Sequence, residues 1–185
     1  MNFFSYLKEL ALRVTKLKEP TLPPVSAAEL DQAKSDDWEY LFVFVEAYNR
    51  QARPDIPVDR LITFPHAACT LILYSELHGQ VTNGGFVQLI HNRYGKFVFG
   101  SPLADDLERW GASRVADIIR EAGAIYQSHK SFLERKRTLD QFSALYSEFP
   151  HFEALESRFY EVMDEQTTVI RKYVEQHRSQ FAHIV

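Results

Sequence analysis

Apolar side chains recur along this sequence at spacings of three and four residues, which is the pattern of amphipathic α-helices. A long stripe extends from residue 152 to about residue 177, and its inner positions are Phe152, Leu155, Phe159, Val162, Val169, Ile170 and Tyr173. A second stripe occupies residues 115–126. No stretch alternates convincingly with period two, although the run 41–45 also suits a strand and residues 94–99 a hairpin. The pattern therefore predicts an all-α chain with a long C-terminal helix.

Two capping boxes mark helix starts. In this motif a hydroxyl side chain and a carboxyl or amide side chain three residues later each bind the other's backbone amide. Ser26 with Glu29 forms one such pair, and Thr138 with Gln141 forms the other. Residues 101–128 have the signals of a helical hairpin. Together with the apolar stripes, these signals predict a bundle of about eight helices.

The most apolar segment lies near the middle of the chain. Residues 66–78 are apolar nearly all round, and Glu76 is their only formal charge, so we expect a central buried helix there. Gly79 is a natural C-terminal stop for that helix. The turn at residues 83–85 is predicted to begin the next one.

The chain divides into a short N-terminal part and one larger domain. Residues 1–25 combine an amphipathic helix with a proline-rich linker, in which Pro20, Pro23 and Pro24 favour extended backbone. The remaining residues, 26–185, are about enough for one helical domain with its own core. We therefore expect a single-domain helical bundle that follows a short helix and linker.

Composition and charge exclude several classes of protein. Apolar residues make up 45% of the chain and aromatic residues 14%, which is typical of a folded protein. The net charge is −4 and is spread evenly, so no segment has the strong field of a nucleic-acid-binding protein. Cys69 is the single cysteine, which favours a reducing compartment. No apolar run approaches the ~20 residues of a membrane span. We expect a soluble, cytoplasmic protein.

One motif resembles that of a known family. Residues 83–88 spell Asn-Gly-Gly-Phe-Val-Gln, and Asn92 follows them. A double glycine before an apolar helix is unusual. The motif resembles the Asn-Gly-Gly-Phe-x-Gln signature of the DNA-mimic-protein (DMP-nineteen-like) domain family, a bacterial family of largely unknown function. The likeness covers about residues 65–175.

The resemblance carries expectations for fold and function. It implies an all-helical fold, often dimeric, with no known catalytic activity. For the founding member of the family it implies a surface that imitates DNA and sequesters a DNA-binding protein. In this sequence Leu89 and Ile90 stand where aromatic residues are commoner in the family, which is a core substitution.

Imitation of DNA requires a dense row of carboxylates, because duplex DNA carries about one negative charge per ~1.7 Å of its axis. The densest groups here lie at residues 36–39, 105–108 and 164–165. Asp105, Asp106 and Glu108 are the candidates for an acidic surface. For each group the alternative is an ordinary solvated helix face or first turn. Because the chain is only mildly acidic, DNA imitation does not follow from the resemblance alone.

The candidates for ligand or partner contact surround the glycine motif. The turn is either a structural junction or a nest of free backbone amides that holds a ligand. Burial of the isolated Glu76 would raise its pKa towards that of a general base, and the alternative, which we favour, is a buried carboxylate that accepts hydrogen bonds from backbone amides of the turn. Asn83, Gln88 and Asn92 follow one another at intervals of five and four residues, a spacing that allows them to share one polar patch. The full set of candidates is Glu76, Asn83, Gly84, Gly85, Gln88 and Asn92.

No catalytic or metal centre is predicted. His66 and Cys69 lack the further ligands of a zinc site, and no phosphate loop, serine elbow or HExxH pattern occurs. No cofactor is expected. One alternative is a small hydrolase or ligand-binding enzyme, which requires four side chains to converge on one cavity: Glu76, Asn83, Gln88 and His91.

The basic cluster formed by Lys130 and residues 135–137 supports a second alternative, weak nucleic-acid binding, although dipole compensation also explains it. Our main hypothesis is a non-enzymatic protein-interaction module. Its expected partner is a protein, by resemblance a DNA-binding regulator, with neither direct nucleic-acid contact nor membrane contact. The resemblance also implies a homodimer.

Overall fold

A computed structural model describes residues 21–53 and 61–185 of the chain, so the helix predicted within residues 1–18 lies outside the described residues. The prediction of an all-α fold with a long C-terminal helix is confirmed. The two strands of the described part are two residues long, β1 (Pro24–Val25) and β2 (His183–Ile184), and they pair in parallel. The described helices are α1 (Ala27–Ala33), α2 (Asp37–Ala52), α3 (His66–His91), α4 (Gly95–Val98), α5 (Leu103–Arg109), α6 (Ser113–Leu133), α7 (Leu139–Glu148) and α8 (Pro150–Gln176).

The helix starts follow the capping signals of the sequence. Both predicted capping boxes form, at Ser26 before α1 and at Thr138 before α7. The carboxylate of Asp36 accepts a hydrogen bond of 2.8 Å from the Glu39 amide and so caps α2. Residues 41–45, which also suited a strand, lie within α2. A short helix, α4, takes the place of the hairpin considered for residues 94–99.

The predicted stop at Gly79 is wrong. Helix α3 continues through Gly79 to His91 and is interrupted instead at Gly84 and Gly85, which have non-helical backbone angles. Glycine within a helix costs only about 1 kcal/mol relative to alanine. Burial of the flanking Leu77 and Val81, both 0% exposed, offsets that cost.

The described residues form two compact units. The first consists of residues 21–53, 61–75 and 167–185, and the second consists of residues 76–166. Helices α3 and α8 each contribute residues to both units. The single domain expected over residues 26–185 stays a prediction.

In the first unit, buried aromatic side chains of α2 form the core. Tyr48 is fully buried and donates a hydrogen bond of 2.8 Å to the carbonyl of Phe181. The hydroxyls of Tyr74 and Thr167 lie 2.6 Å apart in the same interior. Buried polar groups of this kind stabilise a fold only when they are paired, as these are.

In the second unit, the apolar faces of α3, α5, α6 and α8 enclose the core. Helices α5 and α6 form the predicted hairpin, and Gly111, with φ of 93°, ends α5 in the left-handed region. The residue before α6 is Ala112, which has no side-chain cap to offer. The buried Gln166 of α8 accepts hydrogen bonds from the amides of Arg114 and Val115 and so caps α6 from a distance.

Candidate functional site

The interruption of α3 depends on a glycine. Gly85 has φ of 71° and ψ of −174°, a combination that is essentially restricted to glycine. A Cβ at this position would lie 2.1 Å from a carboxylate oxygen of Glu156. The backbone angles therefore require glycine, and a Cβ would displace the Glu156 carboxylate, so the Asn-Gly-Gly turn is a structural junction.

Glu156 of α8 holds the turn from outside α3. Its Oε1 accepts a hydrogen bond of 2.7 Å from the backbone amide of Phe86, the residue after the two glycines. Burial raises the pKa of the Glu156 carboxyl, the Phe86 amide opposes that rise, and the nearby Glu153 adds to it. The sequence motif does not point to this residue. Its one signal is a position beside the apolar stripe of α8, between Leu155 and Phe159.

Two tyrosines complete the junction. The hydroxyl of Tyr146 donates to the carbonyl of Gly84 at 2.8 Å, and that of Tyr160 donates to the carbonyl of Val81 at 2.9 Å. An undistorted helix would pair the Val81 carbonyl with the amide of Gly85. The tyrosines thus supply hydrogen bonds where the helix is distorted. The two tyrosines are 40% and 45% exposed, so the junction lies at the surface of the second unit.

Of the three amides expected to share a polar patch, Gln88 and Asn92 do so, and Gln80 connects them. The Oε1 atom of Gln80 accepts hydrogen bonds from Gln88 at 3.3 Å and from Asn92 at 2.8 Å. Asn83 is exposed. This patch contains amides and no nucleophile or base, so it suits recognition and not bond cleavage.

The four residues of the enzyme alternative have different neighbours. Glu76 is half-buried, which raises the pKa of its carboxyl, and a hydrogen bond from Tyr94 opposes the rise. Gln88 binds Gln80, while the ring of His91 lies 4.3 Å from that of Phe142. Of the four, His91 alone lines the cavity of about 580 Å³ at the end of α3.

The acidic surface predicted on α5 is largely neutralised. Asp106 is 3% exposed and pairs with Arg109, so its expected place on the surface is wrong. It lies on the same helical face as the buried Leu103 and Leu107, because residues three and four apart share a face. Asp105 and Glu108 are exposed, yet both pair with Arg120 of α6.

A second acidic group lies in the first unit. Carboxylates from α1 and α2 line a groove of about 400 Å³, together with the half-exposed ring of Phe42. Arg50 is the one cation among the described residues that line it. We call this the α1–α2 groove, and its carboxylates belong to Glu29, Asp36, Glu39 and Glu46.

Comparison with known proteins decides the family. The family described as DMP19-like protein matches residues 63–177. A protein of Neisseria meningitidis serogroup B (strain ATCC BAA-335 / MC58), described as DNA mimic protein DMP19, is 35% identical over 119 residues. The aligned part is 62% of this chain and 70% of that protein. The chain belongs to the DMP19-like family.

This assignment confirms the family predicted from the sequence, including its extent to within two residues at each end. The glycine junction, Glu156 and the α5 carboxylates lie inside the range shared with the DMP19-like family, whereas the α1–α2 groove lies outside it. The relative's description names a DNA mimic and not an enzyme, which agrees with the predicted non-enzymatic class.

Two kinds of feature are absent from the described residues. Among residues 21–53 and 61–185, no group of three or more His, Cys, Asp and Glu side chains is arranged to hold a metal ion. Within the same ranges, no helix combines the length and apolar character that crossing a membrane requires.

Proposed function

We propose that this chain is a non-enzymatic, cytoplasmic protein-interaction module that binds a DNA-binding protein through the α1–α2 groove. The observation that carries the proposal is the gathering of four carboxylates around an exposed aromatic ring, with one lining arginine. The relative's description as a DNA mimic supports the class of partner. DNA-binding proteins present clustered Lys and Arg side chains, which such a groove attracts.

The spacing of the acidic side chains supports the proposal. Glu39, Val43 and Glu46 follow one another at intervals of four and three residues, so they share one face of α2, and Asp36 caps that helix three residues before Glu39. A rise of ~1.5 Å per residue separates Glu39 from Glu46 by roughly 10 Å along the axis. That distance is close to the rise of three nucleotides in one DNA strand, at ~3.4 Å each.

The partners of these carboxylates leave much of their charge in place. Glu29 and Asp36 accept hydrogen bonds from the backbone amides of Ser26 and Glu39, which are neutral groups. Glu46 lies 3.5 Å from the exposed Arg53, which is farther than the 2.9 Å that separates Arg120 from Asp105. By contrast, one arginine serves both exposed carboxylates of α5. The α1–α2 groove thus supports an acidic contact surface better than α5 does.

Exposed apolar area in the groove adds to the electrostatic attraction. Phe42 is 43% exposed although it lies on a helix whose other aromatic side chains include the fully buried Phe44 and Tyr48. Aromatic anchors inside a polar rim contribute much of the binding free energy at protein interfaces. Phe42 is the expected anchor in this surface.

The proposal predicts that neutralising the groove weakens partner binding. DNA-binding proteins enriched on DNA-cellulose from the producing organism would be passed over the immobilised chain. A retained protein would then be tested for displacement from labelled duplex DNA. We expect the double variant Glu39→Gln/Glu46→Gln to bind this protein at least about tenfold more weakly, since charge complementarity contributes both to affinity and to association rate.

The matched control is Asp105→Asn/Glu108→Gln, which removes the same number of charges from α5 and should leave binding within about twofold. Retention of no DNA-binding protein contradicts the proposed function. Equal loss in both double variants contradicts the assignment to the α1–α2 groove, because it indicates an effect of net charge alone.

A further inference from the structure

A basic cavity of about 580 Å³ lies in the second unit, and it shares no lining residue with the α1–α2 groove. Its walls come from the end of α3 with the following loop and α4, and from the end of α6 with the following loop. Five of its lining side chains are cationic and one is a carboxylate, in a chain whose net charge is −4. These six are Arg93, Lys96, Arg135, Lys136, Arg137 and Glu134.

Arg93 occupies a backbone position that usually belongs to glycine. Its φ is 68°, in the left-handed region, and the amides of Arg93 and Tyr94 bind the carbonyls of Ile90 and Leu89. This is the Schellman ending of α3, in which the left-handed residue is most often glycine. An arginine there adds strain to the fold, and strained residues of this kind concentrate at functional sites. Arg93 places an exposed cation at the cavity.

Arg137 fixes the opposite wall. Its guanidinium donates hydrogen bonds to the carbonyls of Phe132 and Leu133, in the last turn of α6, and to that of Arg135, two residues after the helix. Arg135 in turn donates to the carbonyl of Ser131. The loop that carries Lys136 is therefore held against the end of α6 before any ligand arrives, which lowers the entropic cost of binding.

The one acidic side chain of the wall is already engaged. Glu134 accepts a hydrogen bond from the hydroxyl of the buried Tyr126. The negative charge of Glu134 still repels a long polyanion that lies across the cavity. The cations on both walls favour a compact anion instead. The excess of cations over carboxylates in a concave site raises the local concentration of anions.

We propose that this cavity binds a small anion that carries two or more phosphate groups, such as an oligophosphate or a nucleoside triphosphate. Arginine and lysine are the side chains that recognise phosphate most strongly. A volume of about 580 Å³ is that of a small-molecule site. Duplex DNA binds to extended positive surfaces and cannot enter it. Cations contributed from both walls favour an anion with charge at more than one point.

The test measures binding of sodium tripolyphosphate and of ATP by isothermal titration calorimetry, together with the shift of the melting temperature that each ligand causes. We expect both ligands to bind the wild-type chain and to raise its melting temperature. The double variant Arg93→Gly/Lys136→Gln should bind at least about tenfold more weakly. Its own melting temperature should not fall, because glycine relieves the left-handed strain at position 93. Lys172→Gln, at an exposed lysine of α8 outside the cavity lining, is the control and should bind normally.

The two ligands distinguish the source of the phosphates. Tighter binding of ATP than of tripolyphosphate would support a nucleotide, and equal binding would support the phosphate chain alone. Absence of binding by either ligand at ~1 mM, or binding that the double variant leaves unchanged, would overturn the proposal. It is likewise overturned if labelled duplex DNA binds the same residues more tightly than both small ligands do.

Discussion

Replacing Gly85 with alanine is expected to lower the free energy of unfolding by about 2–4 kcal/mol, because it adds backbone strain and a steric clash together. The backbone at Gly85 has a positive φ that L-residues rarely adopt, and the added Cβ would lie 2.1 Å from Glu156. Relief of the clash would displace that carboxylate from the amide of Phe86. Chemical denaturation of the variant and the wild type measures the difference.

Gly79 supplies the matched control in the same helix. It has helical backbone, it is exposed, and a Cβ there would have no neighbour within 4 Å. Gly79→Ala should therefore raise the free energy of unfolding by about 0.4–1 kcal/mol, through helix propensity and a less flexible unfolded chain. If both alanine variants changed the free energy of unfolding in the same direction, the structural role assigned to Gly85 would be contradicted.

Removal of the Glu156 carboxyl is expected to cost about 1–3 kcal/mol of stability, since Glu156→Ala leaves the Phe86 amide without its acceptor. Glu156→Gln keeps an acceptor oxygen and should be much less destabilising than alanine. Denaturant titrations of the three proteins at one pH give the comparison. Equal losses for glutamine and alanine would show that the hydrogen bond to Phe86 does not hold the junction.

The pH dependence of Glu156→Gln supplies a second test. Burial raises the pKa of Glu156 in the folded chain, so its contribution to stability is present below the unfolded pKa of ~4.3 and is lost as the pH rises through the folded value. The stability of Glu156→Gln relative to wild type should therefore improve as the pH rises from 4 towards neutrality. Denaturant titrations at several pH values measure it.

The pH dependence of stability expected for Glu121→Gln has the opposite sign to that of Glu156→Gln. Its hydrogen bond with Arg158 lowers the pKa of the Glu121 carboxyl, so the stabilisation is present above the unfolded pKa and is lost as the pH falls through the folded value. Glu121→Gln should therefore lose stability relative to wild type as the pH rises. If the two glutamine variants change in the same direction with pH, the environment assigned to Glu156 is wrong.

The helices could be predicted because their signals lie close together in the chain. The capping boxes at Ser26 and Thr138 act over three residues, and both form as expected. The apolar stripe of α8 has the period of the helix that it predicts. The helix end predicted at Gly79 was wrong because a glycine ends a helix only when the following residues cannot continue it. Here the apolar pattern of the helix continues to Val81.

The candidate sites depended on contacts between distant residues. Asp105, Asp106 and Glu108 form a dense acidic group in the sequence, but the pairing of two of them with Arg120 and the burial of Asp106 become evident only after α5 packs on α6. The partner of the glycine turn, Glu156, lies 70 residues after Phe86.

The sequence by itself determined the helical class, the long C-terminal helix and the family, because each rests on local periodicity or on a contiguous motif. Tertiary structure alone decided which charged side chains lie together on the surface. It gathered the carboxylates of α1 and α2 in one groove and the cations at the ends of α3 and α6 in one cavity. The physical reason is that electrostatic interaction depends on distance through space and on burial, and neither quantity is contained in the spacing of residues along the chain.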